Sequence, residues 1–369
     1  MSTTMVQATT AAESMTAASD AAVTTRLATT ACDAARWEAF VAGHPESTSY
    51  HAWAWRTVFT NSFGWKPYYL IAEKDGEVCG VLPLIWQRNW PITSALVSMP
   101  HLKGGGILAN SVEAAESLLA EAKQLALHLK TDCLELRHAS LSESCLGLPA
   151  RTDKVTFVVG LERDEEKMLK ALDGKARNMV RKSMKQGLTV DFDSEGCLEE
   201  FYKIYCENMR ELGSPAYARR FFEEIRQALP ANTYICIVRH QGKAIAGAFL
   251  YGFRNTIEAV WASSLYKYLD MKPNMFMYWH MFRFASERGY DTFDFGRCSI
   301  DSGTYRFKKQ WGARELPLYW HQWRADGAPL AQPKGASPAF RLASWMWQRL
   351  PLPLTNVLGP HLIKYLAGI

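Results

Sequence analysis

The sequence predicts a duplicated α/β fold with a mixed sheet in each half, because one series of elements occurs twice along its 369 residues. Residues 69–80 place an Asp-Gly pair between two apolar runs, which predicts a β-hairpin with a tight turn. Residues 235–247 repeat this pattern around a Gln-Gly pair. The two turn glycines, Gly76 and Gly242, are 242 − 76 = 166 residues apart. The chain of 369 residues is long enough for two domains.

The elements around each hairpin also match in order. A strand, a helix and a further strand are predicted after the first hairpin at 95–99, 112–129 and 133–137. The same series is predicted after the second hairpin at 258–263, 274–288 and 292–295. Helices are predicted before the hairpins at 33–41, 53–59, 165–172, 175–186, 198–212 and 218–228. Five matching elements favour duplication over coincidence, and a cleft between similar domains is a common ligand site.

These patterns divide the chain into four segments. Residues 1–32 are rich in Ala, Thr and Ser and lack the apolar core of a signal peptide, so they are predicted to be disordered. The two repeats occupy 33–157 and 158–322. Residues 323–369 are predicted to form an amphipathic helical tail with tryptophans beside arginines, which suits either a membrane interface or packing on its own domain.

Composition sets limits on the class of protein. The net charge of +5 and the pI near 8.7 permit anionic partners without requiring them. None of the eight cysteines forms a C-x-x-C pair, so buried free thiols are expected rather than a metal site or a disulfide framework. No apolar run reaches the roughly 18 residues typical of a transmembrane helix.

Residues 293–312 carry the candidate chemistry, because charged side chains stand among aromatic ones there. A short apolar strand ends near Asp294 and Arg297, and two lysines follow in a stretch that we also interpret as a strand. Side chains alternate along a strand, so at most one of Lys308 and Lys309 is expected to face the site. Arg297 can bind a phosphate or carboxylate, although an ion pair with Asp294 is an equal expectation.

Other candidates for substrate binding are basic, aromatic or small residues. Arg177, Arg181 and Lys185 are spaced to share one helix face, which suits either an anionic ligand or solvent. The remaining candidates are expected around the cleft: Gly105, Tyr217, Trp261, Ser263, Tyr305 and Phe307. No spacing in the chain predicts a metal site or a Ser-His-Asp arrangement.

These segments resemble the FemAB family. The resemblance rests mainly on Asp-Phe-Gly-Arg at 294–297 and Phe-Lys-Lys-Gln-Trp-Gly at 307–312, with support from 175–187 and 213–215. It covers roughly residues 50–321, and it is strongest to the branch associated with exosortase/PEP-CTERM exopolysaccharide systems. Cys298 departs from the pattern, because a serine is expected after the arginine.

The resemblance implies an α/β (α+β) architecture of tandem GCN5-related N-acetyltransferase (GNAT) folds, with helices flanking mixed sheets and a cleft between two domains. It implies an acyltransferase that moves an aminoacyl or acyl group to an amine on a cell-envelope or exopolysaccharide precursor. Such transfer depends on alignment and on stabilising an oxyanion. Lys308 is then expected at the acyl-donor end, with Asp294 and Arg297 as the other catalytic residues.

The resemblance implies no resident cofactor, and the co-substrate is an activated acyl donor such as aminoacyl-tRNA or an acyl thioester. The loop at 265–273 lacks glycine, and in 101–106 the glycines are separated from the next helix, so neither suits the pyrophosphate of coenzyme A.

The expected partners are that donor and an amine-bearing saccharide or peptidoglycan-like precursor, with peripheral contact to the inner membrane and no DNA. The expected location is the cytoplasm. Two other functions remain open: an acetyl-CoA-dependent N-acetyltransferase, and a non-catalytic binding or scaffold protein of a polysaccharide assembly system.

Overall fold

The computed structural model describes residues 22–89, 93–139, 147–328 and 337–366 and shows two mixed sheets with helices packed on them. The strands are β1 (Thr24–Leu27), β2 (Lys66–Lys74), β3 (Glu77–Asn89), β4 (Thr93–Ser98), β5 (Leu108–Ala109), β6 (Cys133–His138), β7 (Ala150–Arg151), β8 (Lys154–Gly160), β9 (Leu188–Phe192), β10 (Thr233–His240), β11 (Lys243–Phe253), β12 (Thr256–Ser264), β13 (Thr292–Ser299), β14 (Arg314–Pro317) and β15 (Tyr319–Trp323). The helices are α1 (Ala31–Gly43), α2 (Trp55–Phe63), α3 (Val112–His128), α4 (Glu165–Ala171), α5 (Gly174–Ser183), α6 (Cys197–Glu211), α7 (Arg219–Ala228), α8 (Pro273–Glu287), α9 (Gly303–Lys309), α10 (Pro338–Trp347) and α11 (Leu352–Leu362).

The two sheets confirm the predicted duplication. The first has the order β1-β2-β3-β4-β6-β15-β7, with β5 beside β3, and the second has the order β14-β8-β13-β12-β11-β10-β9. Both predicted hairpins form, as β2–β3 and β10–β11. Their turns use left-handed backbone at two successive residues, Asp75-Gly76 and Gln241-Gly242, which matches the right-handed twist of the paired strands.

In each half the central parallel pair is only three residues long. β4 pairs with β6 from Ala95 to Val97, and β12 pairs with β13 from Thr256 to Glu258. Beyond Glu258, β12 stays with β11 while β13 stays with β8, and β13 shifts register after Asp294. The two strands therefore part, and the gap between them, which we call the strand opening, lies at the centre of the second sheet.

The two halves share one hydrophobic core. Residues of the first half, including Trp37, Tyr50 and Phe59, belong to the same buried cluster as Phe201 and Phe221 of the second half. Helix α2 packs against α7 across this contact. A second cluster lies between the second sheet and helices α5 and α8. Because burial of apolar surface dominates folding, the shared core fixes the two repeats against each other.

The prediction of a disordered segment up to residue 32 is wrong for its last part. β1 pairs with β2, and α1 begins inside the predicted tail. The Asp33 carboxylate accepts hydrogen bonds from the backbone N–H groups of Thr29 and Thr30 and pairs with Arg26. This capped helix start orders the chain locally. Residues 1–21 of the predicted tail lie outside the described residues.

The predicted domain limits at 157/158 and 322 also differ from the strand pairing. β8, in the second sheet, crosses the first limit. β15 crosses the second limit and returns to the first sheet, where Trp320 stands opposite Arg137 of β6. β6 has β4 on one side only, so β15 satisfies the backbone groups of its other edge.

The C-terminal helices pack on the second half, which is one of the two arrangements expected for the tail. Trp347 of α10 is buried, and the Gln348 amide donates a hydrogen bond to the Glu211 carbonyl (3.0 Å). A Cβ on Gly359 of α11 would stand 3.0 Å from the backbone nitrogen of Ala216, so the helix approaches the chain closely there. None of the helices in the described ranges combines the length and apolar composition needed to cross a bilayer.

Candidate active site

The strand opening depends on a glycine in β13. Gly296 has a left-handed φ of 72°, and a Cβ there would lie 2.7 Å from the Ala259 carbonyl oxygen of β12. Other residues are disfavoured by both the backbone conformation and this contact. The glycine of the Asp-Phe-Gly-Arg segment therefore permits the register shift at which β13 leaves β12.

A buried charge cluster closes the narrow end of the opening. The Lys103 ammonium, from the loop after β4, forms ion pairs with Asp294 and with Glu258 (3.0 Å to the latter). The Tyr50 hydroxyl donates a hydrogen bond to Glu258 (2.8 Å), and the Thr156 hydroxyl donates one to Asp294. All five side chains are buried. The cluster therefore joins two residues of the first half to the parting strands of the second.

Two carboxylates share one ammonium in this cluster. Burial alone would lower the pKa of Lys103, but the carboxylates of Asp294 and Glu258 raise it above its ordinary value. Burial raises the pKa of Glu258, against the opposing effect of Lys103 and with a further upward contribution from Asp294. Lys103 is thus a cation at neutral pH, and the same two carboxylates also act upward on the pKa of Lys308, against its burial.

Lys308 lies on helix α9, so the predicted strand at this position is wrong. Ser302 caps the helix by accepting a hydrogen bond from the Tyr305 N–H (3.1 Å). Successive residues of a helix point about 100° apart, so Lys308 and Lys309 still point in different directions, as they would on a strand. Lys308 is buried, with 3% of its surface exposed, whereas Lys309 is exposed.

The Lys308 ammonium is held by backbone carbonyls of β13. It donates hydrogen bonds to the carbonyl oxygens of Gly296 (2.6 Å) and Arg297 (3.0 Å). An ammonium has three donors, and in the described parts of the chain no third acceptor is recorded for this one. Burial lowers the pKa of Lys308 to about 8, so the group remains mostly protonated at neutral pH.

Arg297 does not pair with Asp294, so the ion pair considered from the sequence is wrong. Asp294 is taken by Lys103, whereas the Arg297 guanidinium donates to the His101 carbonyl oxygen (3.2 Å) and stands 5.5 Å from the centre of the Trp320 ring. Within the described ranges no carboxylate forms an ion pair with Arg297. Burial lowers the pKa of Arg297, with a further contribution from the nearby charge of Arg137.

Two adjoining cavities surround these groups. The first, which we call the opening cavity, has a volume of about 170 Å³ and lies in the strand opening, with Trp261, Ser263 and Lys308 in its wall. The second, which we call the capped cavity, has a volume of about 240 Å³ and includes Tyr217 and His101. Arg297 and Trp261 belong to the walls of both. The structure therefore brings the predicted Lys308, Arg297, Trp261, Ser263 and Tyr217 together.

Three other predicted binding residues lie outside both cavity walls. The Tyr305 hydroxyl donates to Glu315 of β14 (2.7 Å). Phe307 packs edge-on against Tyr278 and belongs with the second core. Gly105 has a φ of 90°, and a Cβ there would stand 2.4 Å from the Met99 side chain, so its glycine serves a tight turn.

The predicted basic face is only partly helical. Arg177 and Arg181 lie on α5, but α5 ends at Ser183, so Lys185 falls in the following turn and does not extend their face. The helix packs against α8, and Arg181 and Lys185 are exposed to solvent. None of the three contributes to the wall of either cavity.

Sequence reasoning missed Lys103, Glu258, Tyr50 and His101. The first three meet only because the two halves pack together, with Lys103 and Asp294 separated by 191 residues in sequence. One signal was available: Lys103 is a lone lysine between an apolar strand and a run of three glycines. A charge in such a setting needs a buried partner.

In the first half, a buried arginine of β6 bridges the equivalent region beyond the β4–β6 pair. The Arg137 side chain donates hydrogen bonds to the carbonyl oxygens of Leu102 (2.8 Å) and Met99 (3.4 Å), and it pairs with Glu135 (2.7 Å). The Arg137 guanidinium also stacks 4.1 Å from the centre of the Trp320 ring. These contacts fill the space beyond the β4–β6 pair, so the open site belongs to the second half.

Comparisons with known proteins agree with this geometry. Residues 174–309 match the family model of an acetyltransferase (GNAT) domain. The chain is 21% identical to the lipid II:glycine glycyltransferase of Staphylococcus aureus (strain COL), over 74% of this chain and 87% of that protein. It superposes on the crystal structure of FemX with a TM-score of 0.64 at 17% identity, over 78% of this chain and 95% of that one.

The chain is an acyltransferase with the tandem GNAT fold, and it resembles the FemAB proteins. A tandem GNAT protein from the clavulanic acid biosynthesis pathway shares the architecture, with a TM-score of 0.53 at 10% identity over 84% of this chain and 99% of that chain. The predicted family resemblance, fold class and enzyme class are thereby confirmed. The matched GNAT domain contains the strand opening and Lys308.

Replacing Lys103 with methionine tests the buried charge cluster. Lys103→Met leaves two buried carboxylates without their cation, so the free energy of unfolding should fall by about 3–5 kcal/mol. In the folded variant the buried carboxylates, without Lys103, take up protons more readily than they do in the unfolded chain, and protonation removes their negative charge. The loss of stability should therefore become smaller as the pH falls from about 7 to about 5. Urea denaturation at both pH values measures the loss.

The matched control is Lys243→Met, which removes an exposed lysine from the β10–β11 hairpin and should change stability little at either pH. An equal loss in the two variants, or a loss in Lys103→Met that does not depend on pH, would contradict the assigned cluster.

Proposed function

We propose that this acyltransferase moves an aminoacyl or acyl group onto an amine of a cell-envelope or exopolysaccharide precursor, with the reacting carbonyl in the opening cavity. One observation carries the proposal. The Lys308 ammonium is fixed by the carbonyl oxygens of Gly296 and Arg297 in the wall of that cavity, and it has a further donor for a ligand.

The chemistry follows from this geometry. The acceptor amine attacks the acyl carbonyl and forms a C–N bond, and the carbonyl oxygen becomes an oxyanion. The oxyanion then collapses, breaks the bond to the donor's oxygen or sulfur, and the leaving group takes up the proton that the nitrogen loses. Lys308 stabilises the oxyanion by a charge-assisted hydrogen bond in a buried setting. Asp294 and Glu258 act indirectly, because they offset the two buried lysine charges.

The chain before α8 favours a donor other than coenzyme A. Residues Tyr266–Met271 form a 3-10 helix there, in the place of a glycine-bearing phosphate loop. The N–H groups of Tyr268 and Lys272 donate to the carbonyl oxygens of Leu265 and Leu269, so they are already bonded within the segment. An aminoacyl ester such as aminoacyl-tRNA, or a different thioester, fits this feature better.

The acceptor is proposed by analogy with the relatives. The similar Staphylococcus aureus enzymes are named as glycyltransferases that act on lipid II. By this analogy a lipid-linked, amine-bearing saccharide precursor is the acceptor, and the enzyme acts at the cytoplasmic face of the inner membrane.

Lys308→Met provides the decisive variant for this proposal. Loss of one oxyanion donor should lower the transfer rate about 10²–10³-fold. Mass spectrometry of envelope polysaccharide from cells with and without the protein identifies the transferred group as the missing mass. Cells that carry only Lys308→Met should lack the same mass, whereas Lys309→Met, which removes the exposed neighbour, should restore it.

Two results would change the assignment. A missing mass equal to an acetyl group would favour the acetyl-CoA-dependent alternative. Full restoration by Lys308→Met would contradict the proposed chemistry and favour a non-catalytic binding protein.

The C-terminal helices present an apolar surface that supports peripheral membrane contact. On α10 and on α11 the exposed apolar residues recur at spacings of three and four, so each helix has one apolar stripe that faces solvent. The stripes, which we call the tail stripes, comprise Leu342, Trp345, Met346, Leu354, Val357, Leu358 and Leu362, with exposed fractions from 37% to 64%.

The net positive charge of the tail indicates which kind of surface the tail stripes could bind. Residues 337–366 contain Arg341, Arg349 and Lys364 but no aspartate or glutamate. The Arg349 guanidinium stacks 3.6 Å from the centre of the Trp345 ring, which places a cation beside the aromatic face. Apolar side chains with tryptophan and flanking cations suit the interface of an anionic bilayer. We therefore propose that the tail packs on its domain by one side and docks on anionic lipid by the other.

Vesicle flotation tests the docking surface. The full chain should float with phosphatidylglycerol-containing vesicles and much less with pure phosphatidylcholine. The triple variant Leu342→Ser, Trp345→Ser, Met346→Ser should lose most of this binding. The control Leu27→Ser, Leu127→Ser replaces exposed leucines elsewhere and should bind as the parent does. Equal binding by the triple variant and the parent would contradict the proposed surface.

A further inference from the structure

We infer that the capped cavity is a subsite for an anionic group of the acceptor, a carboxylate or a phosphate, bound between Arg297 and His101. The inference rests on the proposed function, because it assigns the cavity beside the acyl site to the second substrate. Neither the family match nor the resemblance to FemX assigns this pair a role. The proposal rests on three features of the cavity: its cation, its histidine and its cover.

The cation of the cavity is Arg297. Its guanidinium has five N–H donors, and the described residues provide one hydrogen-bond acceptor, the His101 carbonyl oxygen at 3.2 Å. No carboxylate among those residues forms an ion pair with it, although Arg137, close by, has Glu135. The planar fork of donors at the wall of a cavity is suited to a carboxylate or a phosphate.

The histidine of the cavity is His101. It is buried, with 7% of its surface exposed, and its Nε2 atom has no hydrogen-bond partner among the described residues. Burial lowers the pKa of His101 well below its ordinary value, with further contributions from Arg137 and Arg297, so the ring is neutral. A buried polar atom without a partner is costly, and a ligand in the cavity would satisfy it.

The position of the His101 ring is fixed by its neighbours. It stacks on Trp65 at 5.5 Å and meets Tyr217 edge-on at 5.0 Å. The His101 backbone has a φ of 66°, in the left-handed region, which is disfavoured for a residue other than glycine. Residues with such backbone conformations cluster at active sites and ligand-binding positions.

The cover of the cavity comes from the C-terminal helices. Phe340 of α10 and Ile363 after α11 line the cavity, opposite Tyr205 and Met209 of α6. A volume of about 240 Å³ with one cation and a wall of mixed polar and apolar groups suits a compact ligand that has a single charged end. The anionic end would bind Arg297, and the remaining part would contact the aromatic wall.

Arg297 also relates this subsite to the acyl site. The residue belongs to the walls of both cavities, and its carbonyl oxygen accepts a hydrogen bond from Lys308 at 3.0 Å. An acceptor bound through its anionic group at Arg297 would therefore lie directly beside the acyl carbonyl. The substrate class that follows is an amine that carries a carboxylate or phosphate close to its nucleophilic nitrogen.

Calorimetric titration of the full chain with inorganic phosphate, and separately with sodium acetate, tests the subsite without any acyl donor. At least one anion should bind saturably at one site, and the anion that binds distinguishes a phosphate from a carboxylate. Arg297→Gln should weaken binding at least tenfold, and His101→Phe should weaken it severalfold. The control Arg306→Gln removes an exposed arginine from α9 and should bind as the parent does.

Arg297→Lys is the second variant, for use if Arg297→Gln does not fold. It keeps the charge but loses the fork of donors, so its affinity should fall between those of the parent and Arg297→Gln. Failure of both anions to saturate, or equal affinity in the parent and the Arg297 variant, would overturn the subsite. The readout is binding alone, so it can fail while transfer by Lys308 persists.

Discussion

The structure depends on the ion pairs by which Lys103 of the first half meets Glu258 and Asp294 of the second. These carboxylates end the three-residue parallel pair of β12 and β13, so the cluster stands where the strands part. Three buried charges are tolerated only when each has its partners in place. The cluster therefore couples the packing of the two halves to the shape of the site.

The two repeats have the same fold but differ in whether the space beyond their central strands is occupied. In the first, Arg137 of β6 binds the backbone of the loop after β4 and occupies the space beyond the central strands. In the second, Gly296 bends β13 away from β12, and the space remains open beside Lys308. β15 connects the two repeats, because it runs along β6 and places the Trp320 ring in contact with both Arg137 and Arg297. In one repeat the space beyond the central strands is therefore filled, and in the other repeat, which packs against it, the equivalent space is open.

The sequence predicted the features that depend on local patterns. Both hairpins and the order of elements could be predicted, because turn residues and hydrophobic periodicity determine them within short windows. The tandem GNAT fold was implied by the resemblance to the FemAB family. Asp294, Arg297 and Lys308 stood out as charges among aromatics. The seven-residue helix α9 was interpreted as a strand, because it is too short to show a helical period.

Long-range contacts could not be predicted in this way. Lys103 meets Asp294 across 191 residues, and Tyr50 meets Glu258 across 208. The expected pairing of Asp294 with Arg297 was wrong for the same reason, because its actual partner comes from the other repeat. The spacing of Arg177, Arg181 and Lys185 predicted a shared helix face. Spacing alone cannot show where a helix packs, and none of these residues lies in a cavity wall.

The protonation of Lys308 is the most direct test of the account, because the oxyanion role requires a buried ammonium near neutral pH. The measurement is an NMR titration of lysine Cε labelled with carbon-13, with the Lys308 signal assigned by its loss in Lys308→Met. The account predicts that this signal titrates near pH 8, because burial lowers the pKa of Lys308 to about 8. A titration near the ordinary value of about 10.4 would show a solvated side chain and contradict the proposed site.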